Sequence, residues 1–338
     1  MRYSALSLLG NAFSKNKNWK PAWRNPDPKP HYDVIIIGGG GHGLATAYYL
    51  SKVFGVRNVA VLEKGYLGSG NIGRNTTIIR SNYLLEGNNP FYEFSMKLWE
   101  GLEQDFNFNA MVSQRGVINL FHSDAQRDAY TRRGNAMRLH GVDAELLNRD
   151  QLREKLPFLD YENARFPVMG GLMQARGGTV RHDAVAWGFA RGADQNGVDI
   201  IQNCEVTAID RDGDQITGVQ TTRGAITCNK LAMAVAGSSS HVAKMVDMRL
   251  PIESHALQAF VSEGLKPFID TVVTFGAGHF YVSQSDKGGL VFGGDIEGYN
   301  SYAQRGNLAC VEHVAEAGMA MIPALSRVRI LRSWGGIM

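Results

Sequence analysis

Cysteine is scarce: Cys204, Cys228 and Cys310 are the only three in 338 residues, odd in number and far apart. That excludes a disulfide framework and a zinc site of paired cysteines. It reads as a chain for a reducing compartment, expected to be cytoplasmic. An excess of one charge is lacking too. Lys plus Arg number 35 against 32 Asp plus Glu, with no basic tract, so neither nucleic acid nor an anionic membrane is expected as a partner. No apolar run approaches the roughly 18 residues of a membrane helix. The patch Ala5-Leu6-Ser7-Leu8-Leu9 is too short for a signal-peptide core. Trp19, Pro21, Trp23, Pro26, Pro28 and Pro30 follow it, which predicts an extended arm whose tryptophans lie on the body of the protein or on a partner.

What is present is a dinucleotide motif in full context. Asp33-Val34-Ile35-Ile36-Ile37 is a β-branched run of the kind that forms a buried parallel strand. It leads into Gly38, Gly40 and Gly43, which satisfy G-x-G-x-x-G with Gly41 and His42 inside the loop. The first glycine permits the turn, the second lets a pyrophosphate approach the backbone, and the third lets helix and strand pack closely. The helix N-terminus then offers free N–H groups and the positive end of its dipole. Glu63 stands 20 positions beyond Gly43, after the apolar Val59-Ala60-Val61-Leu62, where an acid accepts hydrogen bonds from the adenosine ribose. A second glycine-rich loop follows at Gly65, Gly68, Gly70 and Gly73, able to aim several N–H groups at one ligand.

At this length two joined domains are expected. Helices are predicted near 91–106, 123–139, 183–195 and 305–321, and a short one near 150–156 with Asp150 as its cap. Leu231-Ala232-Met233-Ala234-Val235-Ala236-Gly237 reads as another buried strand ending on a glycine, and 251–295 is rich in strand-like runs of a mostly antiparallel sheet. The predicted class is α/β: a discontinuous Rossmann-like FAD-binding domain (32–84 and 180–248) with an interleaved α+β substrate domain (85–179 and 249–331), after an arm at 1–31. Such interruption favours FAD over a nicotinamide cofactor.

Longer stretches carry a more specific likeness. Gly73-Arg74-Asn75-Thr76-Thr77-Ile78-Ile79-Arg80-Ser81-Asn82-Tyr83, Arg181-His182-Asp183-Ala184-Val185-Ala186-Trp187 and Arg332-Ser333-Trp334-Gly335-Gly336-Ile337 are the clearest. On these, the chain resembles the beta subunits of heterotetrameric sarcosine oxidases, in the D-amino-acid-oxidase-like group of FAD enzymes. The resemblance implies oxidation of sarcosine at noncovalent FAD to an imine. Glycine is one product; formaldehyde or methylenetetrahydrofolate is the other. It also implies electron passage to a covalent FMN and from there to oxygen as hydrogen peroxide. Alpha, gamma and delta subunits would complete the enzyme, with tetrahydrofolate bound through alpha. A related N-methyl amine dehydrogenase, of dimethylglycine type, and a flavin-binding subunit without activity are the alternatives.

The resemblance also assigns residues. Gly38, Gly40, Gly41, His42, Gly43, Glu63, Lys64, Ser69, Asn75, Thr76, Val206 and Gly237 would surround FAD, His42 without a covalent link. His182 would carry FMN, although a histidine at a helix start also reads as plain polar surface. Arg80 would hold the substrate carboxylate, against an internal ion pair as the plainer reading. Monomeric relatives have a second arginine three residues earlier, where Thr77 stands, so Tyr281 is expected to help. A sheet-core role for Tyr281 stays open. His279 is a weaker catalytic candidate, and His255 and Lys287 weaker still. Residues 332–338 would begin a return to the FAD domain. The family pattern there continues into a further strand, a Gly-Phe-rich stretch and a helix facing the flavin, so either a partial sequence or a naturally truncated product is expected.

Overall fold

Val34 to Ile37 form a strand because their β-branched side chains fit a pleated surface buried on both faces. The computed structural model describes residues 4–17, 19, 21–85 and 87–338. In it, His31–Ile37 pairs in parallel with Val59–Leu62 on one side and with Gly224–Met233 on the other. Asp199–Ile201 adds a further parallel strand outside Val59–Leu62, while Gln215–Thr221 and Val206–Asp212 continue antiparallel beyond Gly224–Met233. The glycine loop therefore leaves His31–Ile37 where its two neighbours diverge in the chain, the crevice in which open α/β sheets bind ligands.

Helices Gly41–Val53 and His182–Gln195 cover one face of this sheet. Their contact is small against large: a Cβ on Gly192 would lie 2.7 Å from the Tyr48 ring, and Tyr48 packs edge-on against Phe106 and Phe189 at 5.1 and 5.7 Å.

The second sheet has eight strands in the order Ile330–Ile337, Ala256–Gly264, Gly289–Ile296, Phe280–Gln284, Val272–Phe275, Val117–Phe121, Gly170–Gln174, Glu145–Asn148. Among the described residues all its pairings are antiparallel except that of Val272–Phe275 with Val117–Phe121. Helix Leu308–Met321 covers one face over the stacked rings of Phe275, Phe280, Phe292 and Phe260. Register places Trp334, Ala259, Gly293, Tyr281, Thr274, Asn119 and Leu172 in one row on the opposite face. That row is the floor of the site described below.

Several expectations need correction. Helix Arg149–Lys155 is capped by Asn148 in a reciprocal capping box with Gln151, and Asp150 lies inside its first turn. Leu231 to Met233 are the half-exposed end of the single strand Gly224–Met233, because only one neighbour's side chains shield them. The arm is not wholly extended: Ala5–Phe13 is a helix with no buried residue. The stretch after it does lie on the body, through Trp23 against the core between the first sheet and its two helices, Arg24 to Asp194 at 2.7 Å and Lys29 to the buried Asp199 at 2.7 Å. Residues 330–337 belong to the eight-stranded sheet, and their end leans on the glycine loop through Asn71.

Candidate functional site

The loop after the first strand leaves space only where a phosphate would need it. A Cβ on Gly38 (φ 107°) would lie 2.4 Å from the Ala234 carbonyl oxygen, and one on Gly43 would lie 1.9 Å from that of Gly38. At Gly40 the same atom would meet nothing within 4 Å. The following helix has no side-chain cap and no acid in its first turn, so its leading N–H groups stay available to an anion. These residues fit a dinucleotide pyrophosphate. Gly41 faces Ile72, whose Cδ1 would be 3.1 Å from a Cβ there, and His42 is exposed.

Glu63 is already oriented. Its Oε2 accepts the Gly39 N–H and its Oε1 the Gly65 N–H, each at 2.9 Å. A carboxylate has about four acceptor sites, so capacity for ribose hydroxyls remains. Ser69 Oγ stands 3.5 Å from Glu63 Oε1, while Lys64 is exposed. Val206 is buried at the start of the outermost antiparallel strand. Gly237 is walled by Ile337, whose side chain would lie 2.2 Å from a Cβ at that position.

Residues 74–82 then run across the floor of the second sheet. The Arg74 carbonyl accepts the Trp334 indole N–H at 2.6 Å. Thr76 lies beside the Tyr281 hydroxyl. Asn82 Nδ2 donates to Asn119 Oδ1 at 2.6 Å, and Asn119 Nδ2 in turn donates to Thr274. Asn75 shapes the turn: its Oδ1 accepts the Thr77 N–H at 2.8 Å, with Thr77 held at φ 69°. Gly293 lies opposite Tyr281 because a Cβ there would meet the phenol oxygen at 2.4 Å. Burial pushes the Tyr281 phenol above its ordinary value.

Arg80, half-buried, stacks 4.6 Å above the Tyr83 ring and donates from Nη1 to Asn82 Oδ1 at 2.5 Å. It forms no ion pair among the described residues. Arg80, Thr76 and Tyr281 are thus brought to one side of the sheet. His279 stands apart: it follows a 3₁₀ turn, has a left-handed backbone, and lines a cavity of about 240 Å³ with Asp295 and His313. His255 Nδ1 is bound to the Glu297 carbonyl at 2.8 Å, and Lys287 is exposed at a turn. Asn119 and Arg133, which lie in none of the quoted motifs, are joined to Arg80 through Asn82 of the Gly73–Tyr83 stretch.

His182 opens helix His182–Gln195 with its Nδ1 buried and without a hydrogen-bond partner among the described residues. Burial holds its pKa below the usual imidazole value, so the ring is neutral near pH 7. The Arg181 fork is taken by Asp183 at 2.7 and 2.8 Å.

Residues 33–338 match the family profile of DAO, FAD dependent oxidoreductase. Over its full length the chain is 82% identical to sarcosine oxidase subunit beta of Rhizobium meliloti (strain 1021), covering 81% of that protein. It is 50% identical over 336 residues to sarcosine oxidase subunit beta of Rhodobacter capsulatus, covering 99% of this chain and 81% of the other. The solved L-proline dehydrogenase from P.horikoshii superposes with a TM-score of 0.86 at 26% identity, covering 92% of this chain and 82% of its own. With the glycine loop, the oriented Glu63 and the mixed α/β architecture, these likenesses place the chain in the FAD dependent oxidoreductase family, beside the sarcosine oxidase beta subunits.

Proposed function

We propose that this chain is the beta subunit of a multisubunit oxidase and that it converts sarcosine to glycine. FAD would lie noncovalently along Gly38 to Gly43 with its ribose toward Glu63, and 32–84 with 180–248 would form the binding domain. Residues 85–179 and 249–331 would form the substrate part. The observation that carries the reading is Arg80, a guanidinium without an ion-pair partner among the described residues, beside the floor that holds Tyr281. A substrate carboxylate supplies the missing anion in two-point contact. Tyr281 keeps its proton through the neutral range, because burial raises its pKa, and so can donate to that carboxylate.

FAD, when bound, supplies the acceptor for the two electrons taken from the N-methyl group. The imine so formed hydrolyses to glycine and formaldehyde, or yields its one-carbon unit to tetrahydrofolate on an alpha subunit, with gamma and delta subunits completing the assembly. The residues around His182 fit a covalent FMN: a neutral imidazole with an unpartnered buried nitrogen is a nucleophile in waiting.

Anaerobic addition of sarcosine to the assembled, FAD-containing oxidase tests the reading. Bleaching of the visible flavin band is the expected result. Bleaching by dimethylglycine alone would transfer the assignment to a dehydrogenase of that class. FAD that stays oxidised with both would mark an inactive subunit.

A further inference from the structure

Two arginines converge on one neutral side chain. Arg80 donates from Nη1 to Asn82 Oδ1 at 2.5 Å. Arg133 reaches the same residue from helix Asp124–Leu139, which packs through Met137 near Leu172 on the floor side of the sheet. Its Nε donates to the Asn82 carbonyl oxygen at 2.6 Å, its Nη2 to that oxygen as well, and Nη2 also to Asn82 Oδ1 at 3.2 Å. Asn82 is fully buried, and its remaining amide nitrogen is committed to Asn119. Every polar atom of that side chain is therefore fixed, and the Arg80 fork is fixed with it.

The electrostatics are out of balance. Neither arginine has an ion-pair partner among the described residues; their other close neighbours are the rings of Tyr83 and Tyr130. Burial and the nearby Arg80 charge both disfavour the charged form of Arg133, yet a guanidinium stays protonated. Two like charges around a neutral oxygen in a half-buried place lack one anion.

We propose that Arg133 is a positioning residue for substrate carboxylate: acting through Asn82, it locks the Arg80 fork and supplies the second positive charge of the carboxylate site. This rests on the reading of Arg80 given above. It selects small amino acids with a free carboxylate over their amides and esters.

The test uses the assembled, FAD-containing oxidase with Arg133→Gln, Arg133→Lys, Asn82→Asp and Arg80→Gln. Two quantities are read: the Kd of acetate from perturbation of the flavin spectrum, and the ratio of kcat/KM for sarcosine to that for N-methylglycinamide. Arg133→Gln should weaken acetate and lower the ratio by about tenfold or more, through KM rather than kcat, as expected for losing a charge-assisted contact. Asn82→Asp, which places the missing anion inside the protein, should do the same. Arg133→Lys should recover part of the loss, and it decides the matter if Arg133→Gln does not retain FAD. Acetate Kd and the ratio within about twofold of wild type in the Arg133 variants, with both lost in Arg80→Gln, would overturn the role of Arg133 alone. If Arg80→Gln also leaves both unchanged, the carboxylate reading of Arg80 itself fails.

Discussion

The Oε2 atom of Glu63 receives the N–H of Gly39 at 2.9 Å, a bond that joins the end of the second strand to the middle of the phosphate loop. The other oxygen receives the Gly65 N–H, so one carboxylate orders both glycine-rich loops. Glu63→Gln keeps a single oxygen, and one of the two N–H groups loses its acceptor. Such a loss costs about 1–3 kcal/mol. Fluorescence titration of the variant with FAD should show affinity weakened by roughly tenfold or more. An unchanged dissociation constant would remove Glu63 from the cofactor site.

Gly40 and Gly43 sit three residues apart and should fail in different ways. An alanine at 43 drives its methyl into the Gly38 carbonyl, so Gly43→Ala should lower the melting temperature and FAD content together. An alanine at 40 meets no protein atom within 4 Å. Gly40→Ala should keep the melting temperature of the flavin-free protein within a few degrees of wild type, since open surface positions change stability by only about 0.5 kcal/mol. It should nevertheless bind FAD poorly. Thermal melts with and without added FAD separate the two.

His182→Asn removes the neutral imidazole nitrogen that has no hydrogen-bond partner among the described residues. Flavin that survives acid precipitation on this polypeptide should disappear, while FAD remains extractable. Persistence of acid-stable colour on the variant would move the attachment elsewhere.

His122 lies between Phe166 and Phe275, with Nε2 buried and without a partner among the described residues, and burial holds its pKa below the usual value. The folded chain therefore binds this proton less readily than the unfolded one. Stability is unaffected by the group well above about pH 6.5 and falls as the pH drops below it, where the unfolded chain protonates first. His122→Phe should give a shallower decline in urea midpoint between about pH 7 and pH 5. His182 is shifted the same way, so some slope should remain. Parallel curves for variant and wild type would refute the assignment.

The first nucleotide unit was legible because three independent signals coincide there: a β-branched run, glycines at fixed offsets and an acid after the next strand. Asn148 was legible too, since Asn148 and Gln151 have the spacing of a capping box; Asp150 was the wrong neighbour to choose. Helix Ala5–Phe13 escaped because it buries none of its residues, leaving no apolar face to read against a core. Tyr281 was reached only through resemblance, yet its place follows from register: it faces Gly293 across one strand and Thr274 across the other. Arg133 could not be found in this way. It lies on a mainly polar helix, and its meaning depends on Asn82, 51 residues away in the chain.

Thr77 stands at the corner where the glycine loop becomes the crossing segment, with a β-branched side chain on a left-handed backbone at φ 69°. A residue of that shape in that region stores about 1–3 kcal/mol. The Asn75 side chain holds it from before, and the Val180 N–H, 2.9 Å from the Thr77 carbonyl oxygen, holds it at the end of a short antiparallel pairing of Ile78–Ile79 with Gly178–Thr179. The protein thus keeps a preloaded spring three residues from Arg80. Cutting either tether should loosen the corner from which the Arg80 segment runs, so the placing of that guanidinium depends on hydrogen bonds made three residues before it.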